Sequence, residues 1–263
     1  MKNKDIKILF VDIDWTILDH SDGKHIFDKK SIQALKKAQK NGVLVYLATA
    51  RPYHSVKCTG LLDMFKPDGM VCSNGAVAFH NDVLIHNDSF DKDDVKRIIE
   101  VCNQHNICLQ FCSEKDRWLS LNPDKYVKSY FDWFFETKPE VRLYNNESVN
   151  GIIIFASDEF KWIFESYFSK FHYFKFFEYG YDIRHHEINK IDGLNRVLQY
   201  LNIEPSNALA IGDDGGDIGM FKVCSYSAAM GTSNDEVKSF AKYIAKSVSK
   251  HGVKDALKHF KVI

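Results

Sequence analysis

The run Ile8-Leu9-Phe10-Val11, followed at once by Asp12-Ile13-Asp14-Trp15-Thr16, constrains this chain more than any other stretch. Four consecutive apolar residues predict a strand buried on both faces, as in the interior of a parallel sheet covered by helices. Two carboxylates at its carboxyl end then stand in the crevice where open α/β sheets take their ligands. Adjacent carboxylates repel, and a cation or a phosphate-binding neighbourhood is the usual reason for such a pair. A plain acidic turn after a strand is the alternative that this stretch alone leaves open.

The same arrangement recurs downstream. Residues 28 to 41 carry Ile32, Leu35 and Ala38 on one face with Gly42 behind them, which predicts a helix. Residues 43 to 48 read as a second buried strand, closed by Thr49-Ala50-Arg51-Pro52. This β-α-β order with short connections requires a parallel pair and a right-handed crossover. Residues 54 to 65 read as helical, and 70 to 72 as a short strand stopping at Ser73-Asn74-Gly75-Ala76. From Lys190 the pattern resumes: Ile191, Leu194, Val197, Leu198 and Leu201 mark a helix face, and the strand at 208 to 211 ends in Gly212-Asp213-Asp214-Gly215-Gly216-Asp217. A strand at 227 to 230, a helix opened by Ser233-Asn234-Asp235-Glu236, a strand near 243 to 245 and a helix from about 253 to 259 complete the series.

Between about 80 and 190 the texture changes, with aromatic runs at Phe131-Asp132-Trp133-Phe134-Phe135 and Phe171-His172-Tyr173-Phe174-Lys175-Phe176-Phe177. The pattern predicts a mixed α/β unit: helices near 91–105, 124–135 and 158–170, strands near 107–112, 117–121 and 151–156, and one or two more reaching 186. The aromatic runs read as packing. The expected fold class is therefore α/β, a Rossmann-like three-layer core with a parallel sheet built from residues 1–81 and 189–263. A mixed α/β cap is inserted at 82–188.

Composition narrows the function classes. The chain is 45% hydrophobic and 27% charged, as in an ordinary soluble globular protein. Lys+Arg and Asp+Glu both number 35, so neither nucleic acid nor an anionic membrane is an expected partner. Residues 1–5 enter the first strand without the apolar segment of a signal peptide, and no run reaches transmembrane length. The six cysteines (Cys58, Cys72, Cys102, Cys108, Cys112, Cys224) lie scattered without a C-x-x-C pair, the pattern of reduced packing residues in a cytoplasmic protein.

In a parallel sheet three polar strand ends converge: Asp12 with Asp14, Thr49, and Asp213 with Asp217. Lys190 opens the first helix after the insertion. Carboxylates from different strand ends can hold magnesium against a phosphate, and lysine and threonine can neutralise and hydrogen-bond phosphoryl oxygens. With these residues in this order, the sequence resembles the haloacid dehalogenase superfamily of phosphohydrolases. Within it, the chain is similar to the Cof-type phosphatases, whose α/β cap follows the third core strand. Asp12-Ile13-Asp14-Trp15-Thr16 matches the first motif, DxDxT, and Thr49 in Ala48-Thr49-Ala50-Arg51 the second. Lys190 matches the third, Gly212 to Asp217 the fourth, GDxxxD, and Asn74-Gly75-Ala76 the Asn-Gly-Ala of Cof-type members.

The resemblance implies a magnesium-dependent phosphatase, a monomer or homodimer, acting on a small phosphorylated substrate such as a sugar phosphate. It makes Asp12 the nucleophile that forms an aspartyl-phosphate, and Asp14 the acid and base, with a pKa expected to be raised by its neighbouring carboxylate. Thr49, Ala50, Lys190, Asn74 and Gly75 are implied phosphate- or substrate-binding residues. Asp12, Asp14 through its backbone carbonyl, Asp213 and Asp217 are implied magnesium ligands. Three positions depart from the family pattern. Trp15 stands where glycine is usual, so its amide reaches phosphate only if a non-glycine conformation serves. Gly216 replaces the Asn before the last Asp, so that one polar contact is missing or supplied by Asp214, and Thr232 replaces an Asn after Gly231. Phosphotransfer of the phosphomutase kind and a degenerate phosphate-binding protein are the alternatives. Arg51 is expected to meet substrate or a surface carboxylate. His185-His186-Glu187 has the look of a metal cluster, although neighbours on a strand point to opposite faces.

Overall fold

The structure, a computed structural model, describes residues 5–23, 25–134, 137–185 and 188–263. In chain order it begins with Ile8–Val11 (β1), the arms Leu18–Asp19 (β2) and Ile26–Phe27 (β3), and Lys29–Lys40 (α1). Leu44–Ala48 (β4), Tyr53–Cys58 (α2), Leu61–Met64 (α3), Gly69–Cys72 (β5), Val77–His80 (β6) and Val83–Asn87 (β7) follow. The middle of the chain holds Lys92–Gln104 (α4), Cys108–Cys112 (β8), Arg117–Leu119 (β9), Lys125–Trp133 (α5), Gly151–Phe155 (β10), Lys161–Tyr167 (α6), Phe171–Phe177 (β11) and Gly180–His185 (β12). The last part holds Lys190–Leu201 (α7), Ala208–Gly212 (β13), Ile218–Val223 (α8), Tyr226–Ala229 (β14), Asp235–Phe240 (α9), Tyr243–Ile244 (β15) and Gly252–His259 (α10). Two compact units result: the chain through Arg51 with Gly60–His86 and Asn189–Ile263, and Pro52–Thr59 with Asn87–Ile188.

The first unit is built on an eight-stranded sheet in the order β15-β14-β13-β1-β4-β5-β6-β7. β1 lies between β13 and β4, parallel to both, and all four of its residues are fully buried. Ile8 and Phe10 share one core with Leu194 and Val197 of α7 and with Met220 and Phe221 of α8. By alternation Leu9 and Val11 face the other side, where α1 packs on β4 and α10. These are the three layers that the apolar run of β1 calls for. β5 and β6 pair antiparallel, and the sheet carries β7 as an edge, so it runs past the third parallel strand.

The second unit is a five-stranded antiparallel sheet ordered β11-β12-β10-β8-β9. Leu109, Phe111, Ile152 and Ile154 point to a face covered by Val95 and Ile98 of α4 and by Ile163 and Phe164 of α6. Cys108, Leu119 and Phe155 point to the other, covered by Val127, Tyr130 and Phe131 of α5. Most aromatic side chains of this segment are core material, while Trp133 is 57% exposed.

Two helices are shorter than their periodicity suggests. Residues 54–65 form α2 and α3, separated at Gly60, whose φ of 75° no continuous helix can contain. The segment 158–170 opens with a 3-10 turn, and α6 stops at Tyr167 because the chain turns to bury Phe168 beside Phe164. Five of the six cysteines are buried, and burial pushes the thiols of Cys72, Cys102 and Cys224 up to about 12. Phe135, His186 and Glu187 lie outside the described residues, as does the side chain of His185, so that polar run has no structural account. Among the described residues no helix is long and apolar enough to cross a membrane.

Candidate active site

The acidic turn is organised by one carbonyl. After the Asp12 amide donates to the carbonyl of Ile211 (2.9 Å), Ile13 O accepts from the amides of Thr16 (3.3 Å), Ile17 (2.9 Å) and Leu18 (2.8 Å). The chain therefore reverses within five residues, and its two carboxylates go to different partners. Asp12 is buried beneath Lys190, whose Nζ donates to Asp12 Oδ1 at 2.7 Å and to Asp217 Oδ1 at 2.7 Å.

Lys190 is the first residue of α7 and is itself buried, so its position depends on how that helix begins. Asn189 caps it, with a reciprocal bond from the Asn189 amide to Asp192 Oδ2 (2.9 Å). Glycines allow the helix start to press against the end of β5. A Cβ on Gly75 would lie 2.0 Å from the carbonyl oxygen of Asn189, and one on Gly193 would lie 2.8 Å from the carbonyl oxygen of Gly75. Ser73, Asn74 and Gly75 all have positive φ, which turns the strand end under α7.

Asp217 closes the other side. Its Oδ2 accepts from the amides of Asp213 (2.8 Å) and Asp214 (3.2 Å), and a Cβ on Gly212 would collide with it at 2.2 Å. Thr16 donates from Oγ1 to Asp213 Oδ1 (3.3 Å). One oxygen each of Asp12, Asp213 and Asp217 lies within 4.8 Å of the others. Burial pushes Asp12 well above the ordinary carboxylate range; Lys190 opposes this, and Asp217, Asp213 and Asp14 add to it. Burial, then the charges of Asp217 and Asp214, push Asp213 up to about 8. Burial tends to neutralise Lys190, but Asp12 and Asp217 outweigh it and hold the ammonium charged far above neutral pH. Such a cluster is short of positive charge, and its hard oxygen donors come from two adjacent strand ends. That donor set fits a divalent cation of the magnesium type.

Asp14 departs from expectation. Burial raises its carboxyl, but hydrogen bonds and charge from Arg51 and His20 prevail and hold it well below the usual range. Arg51 spans both oxygens, Nε to Oδ2 at 2.8 Å and Nη2 to Oδ1 at 2.7 Å, and His20 Nε2 lies 2.6 Å from Oδ1. The expected upward shift belongs to Asp12 instead, because only Asp14 has two partners of its own. Arg51 thus pairs with a carboxylate, that of the acidic turn itself. The Asp14 carboxylate is likewise not one of the three clustered side chains.

Trp15 adopts φ 56°, a left-handed conformation that costs a non-glycine residue about 1–3 kcal/mol. Its amide already donates to Leu18 O at 2.8 Å, so the non-glycine conformation exists but that donor is engaged. Asp214 Oδ1 accepts from the Gly216 amide (2.8 Å) and caps the turn before α8.

The remaining expected residues divide. Thr49 is buried at the end of β4, its Oγ1 accepting from the Arg51 amide (3.1 Å), and its carbonyl accepts from the Asn74 amide (3.1 Å). Ala50 is exposed beside it. Gly75 is used for backbone packing under Asn189 and Lys190, and it positions the lysine. His20, His25 and Thr16 were given no role by sequence reasoning. His20 and His25 have no local signal; only the hairpin that follows the acidic turn brings them to Asp14.

A family model for haloacid dehalogenase-like hydrolases matches residues 9–257. The chain belongs to that family. Within it, the core with its inserted cap has the fold of a solved subclass IIB member, and curated relatives over the whole chain are phosphatases. Phosphatase YwpJ of Bacillus subtilis is 24% identical over 294 residues, covering 97% of this chain and 99% of its own. A hypothetical protein from Geobacillus kaustophilus superposes with a TM-score of 0.90 at 22% identity, over 98% of this chain and 100% of its own. A subclass IIB sugar phosphatase superposes with a TM-score of 0.79 at 24% identity, again over 98% and 100%. These superpositions carry the fold: a mostly parallel core sheet with an inserted antiparallel cap sheet.

Proposed function

We propose that this haloacid dehalogenase-type phosphatase is magnesium-dependent and hydrolyses a sugar phosphate or related phosphomonoester through an aspartyl-phosphate on Asp12. The observation that carries the reading is the buried lysine bridge, in which Lys190 Nζ lies 2.7 Å from both Asp12 Oδ1 and Asp217 Oδ1. A lysine so placed works against the burial that would neutralise the nucleophile and faces the charge that develops on a phosphoryl group. Magnesium would be held by Asp12, Asp213 and Asp217, and when bound it supplies positive charge that offsets the phosphoryl oxygens.

In this reading Asp12 attacks phosphorus as the bond to the alcohol oxygen breaks, and Asp14 gives that oxygen its proton, a step for which it must enter protonated against the pull of Arg51 and His20 toward its ionised form. Asp14, now ionised, takes a proton from the water that attacks the aspartyl-phosphate, and release of phosphate regenerates Asp12. The arrangement around Asp14, with two donors on an ionised carboxylate, is that of the base. Thr49 would hydrogen-bond a phosphoryl oxygen, Ala50 and Asn74 would line the site, and Asn87–Ile188 would select the substrate. The sugar-phosphate class follows the activity named for the subclass IIB relative.

Phosphate release from 4-nitrophenyl phosphate with magnesium, then from a panel of sugar phosphates, tests the proposal. Asp12→Asn is expected to lower kcat by at least about 1,000-fold. Turnover at the parent rate in a pure Asp12→Asn protein would sink the nucleophile assignment.

A further inference from the structure

Three aromatic side chains form a run beside the acidic turn. The Trp15 and His20 rings lie 5.3 Å apart, tilted by 58°, and the His20 and His25 rings 4.7 Å apart, nearly perpendicular at 81°. His20 uses both ring nitrogens: Nε2 meets Asp14 Oδ1 at 2.6 Å and Nδ1 meets His25 Nδ1 at 2.7 Å. We propose that His20 is a positioning residue for Asp14, held in place by Trp15 and His25. The inference rests on the reading of Asp14 as the acid and base.

The hairpin explains how the three come together. Leu18 pairs with Phe27 and Asp19 with Ile26, so continuing the register by one residue sets His20 opposite His25. The hairpin is tied to the acidic turn at its base, where the Trp15 amide donates to Leu18 O (2.8 Å) and the Asp28 amide to Ile17 O (2.9 Å). His20 therefore reaches Asp14 from an element other than the one that supplies Arg51. Arg51 lies in the loop after β4 and grips both carboxylate oxygens in one plane. A carboxylate held by one planar fork can still swing with that fork as a unit. A third contact from a separate element removes the swing.

Trp15 closes the arrangement: the residue that takes the left-handed position carries an indole that packs on His20, which glycine cannot do.

The test measures kcat/KM with magnesium for aryl phosphates from 4-nitrophenyl to phenyl phosphate. This parameter covers the steps through departure of the alcohol, where a proton from Asp14 matters most for the poorest leaving group. His20→Ala is expected to lower it about 100-fold for phenyl phosphate and less than about 5-fold for 4-nitrophenyl phosphate, because a displaced acid fails where protonation is needed. His20→Gln, whose amide can donate to Oδ1, is expected to return both to within about 5-fold of the parent. If His20→Ala does not fold by circular dichroism, His20→Asn, too short to reach Asp14, replaces it. Equal losses on both substrates, or the parent leaving-group dependence in the Ala variant, overturn the positioning role. Asp14→Asn runs alongside: if it turns over like the parent, the acid–base reading falls and this inference with it. If Asp14→Asn is inactive while His20→Ala behaves like the parent, the positioning role alone falls.

Discussion

Arg51 and Asp14 lie 37 positions apart, yet their two short hydrogen bonds decide the protonation state of the second motif carboxylate. Motif spacing puts a carboxylate next to Asp12 and an arginine next to Thr49; it says nothing of the two meeting. A guanidinium matches both oxygens in a plane, whereas an ammonium is a single point of charge. Arg51→Lys is therefore expected to lower kcat about tenfold with the fold intact, because Asp14 loses its fixed direction. Steady-state phosphate release checks this, and an unchanged kcat would remove Arg51 from the site's working parts. Trp15 belongs to the same scale. The strain of its φ of 56° is local, and the compensation is the indole laid on His20.

At the scale of elements, the start of α7 does most to place the chemistry. Its periodic apolar face and its Asn189 cap are legible in the sequence, and so is Lys190 as its first residue. The fit beneath it is not, since only the folded chain shows that Gly75 lies where a Cβ would meet Asn189 O at 2.0 Å. Two substitutions separate capping from packing. Asn189→Ala is expected to cost about 1 kcal/mol of stability, the value of a lost N-cap. Gly75→Ala is expected to cost on the order of 3 kcal/mol, since it combines a backbone collision with a φ of 107°. Urea unfolding measures both, and a Gly75→Ala protein as stable as the parent would contradict the close approach. The β2–β3 hairpin is the opposite case: two residues per arm carry too little periodicity to be seen, and the turn at Ile13 O creates it.

For the molecule as a whole, the concentration of carboxylates at Asp12, Asp213 and Asp217 is expected to make stability depend on a divalent cation. Anything that binds only the folded state stabilises it by mass action, by about 2.7 kcal/mol when magnesium stands at 100 times its Kd. For a protein of this size that corresponds to a rise in Tm of about 5–10 °C. Thermal unfolding with and without magnesium tests this. Asp213→Asn is expected to abolish most of the shift, and a full shift in that variant would move the cation elsewhere.

The division of labour between sequence and tertiary structure follows from the range of the forces involved. Local order determined the strand at Ile8–Val11, the polar ends of β4 and β13, the helix opened by Lys190 and the change of texture that marks the insertion. Hydrophobic periodicity and turn chemistry act over a few residues, so they are written in the chain itself. The sequence also determined the inventory of the site, because each residue sits at the end of an element. What only the tertiary structure decided is which groups share charge. Lys190 lies 178 positions from Asp12 and joins it to Asp217, leaving Asp14 to Arg51 and His20. In a buried site the protonation of a carboxylate is set by whichever charges lie within a few ångströms. Sheet order and close backbone packing alone bring those charges together.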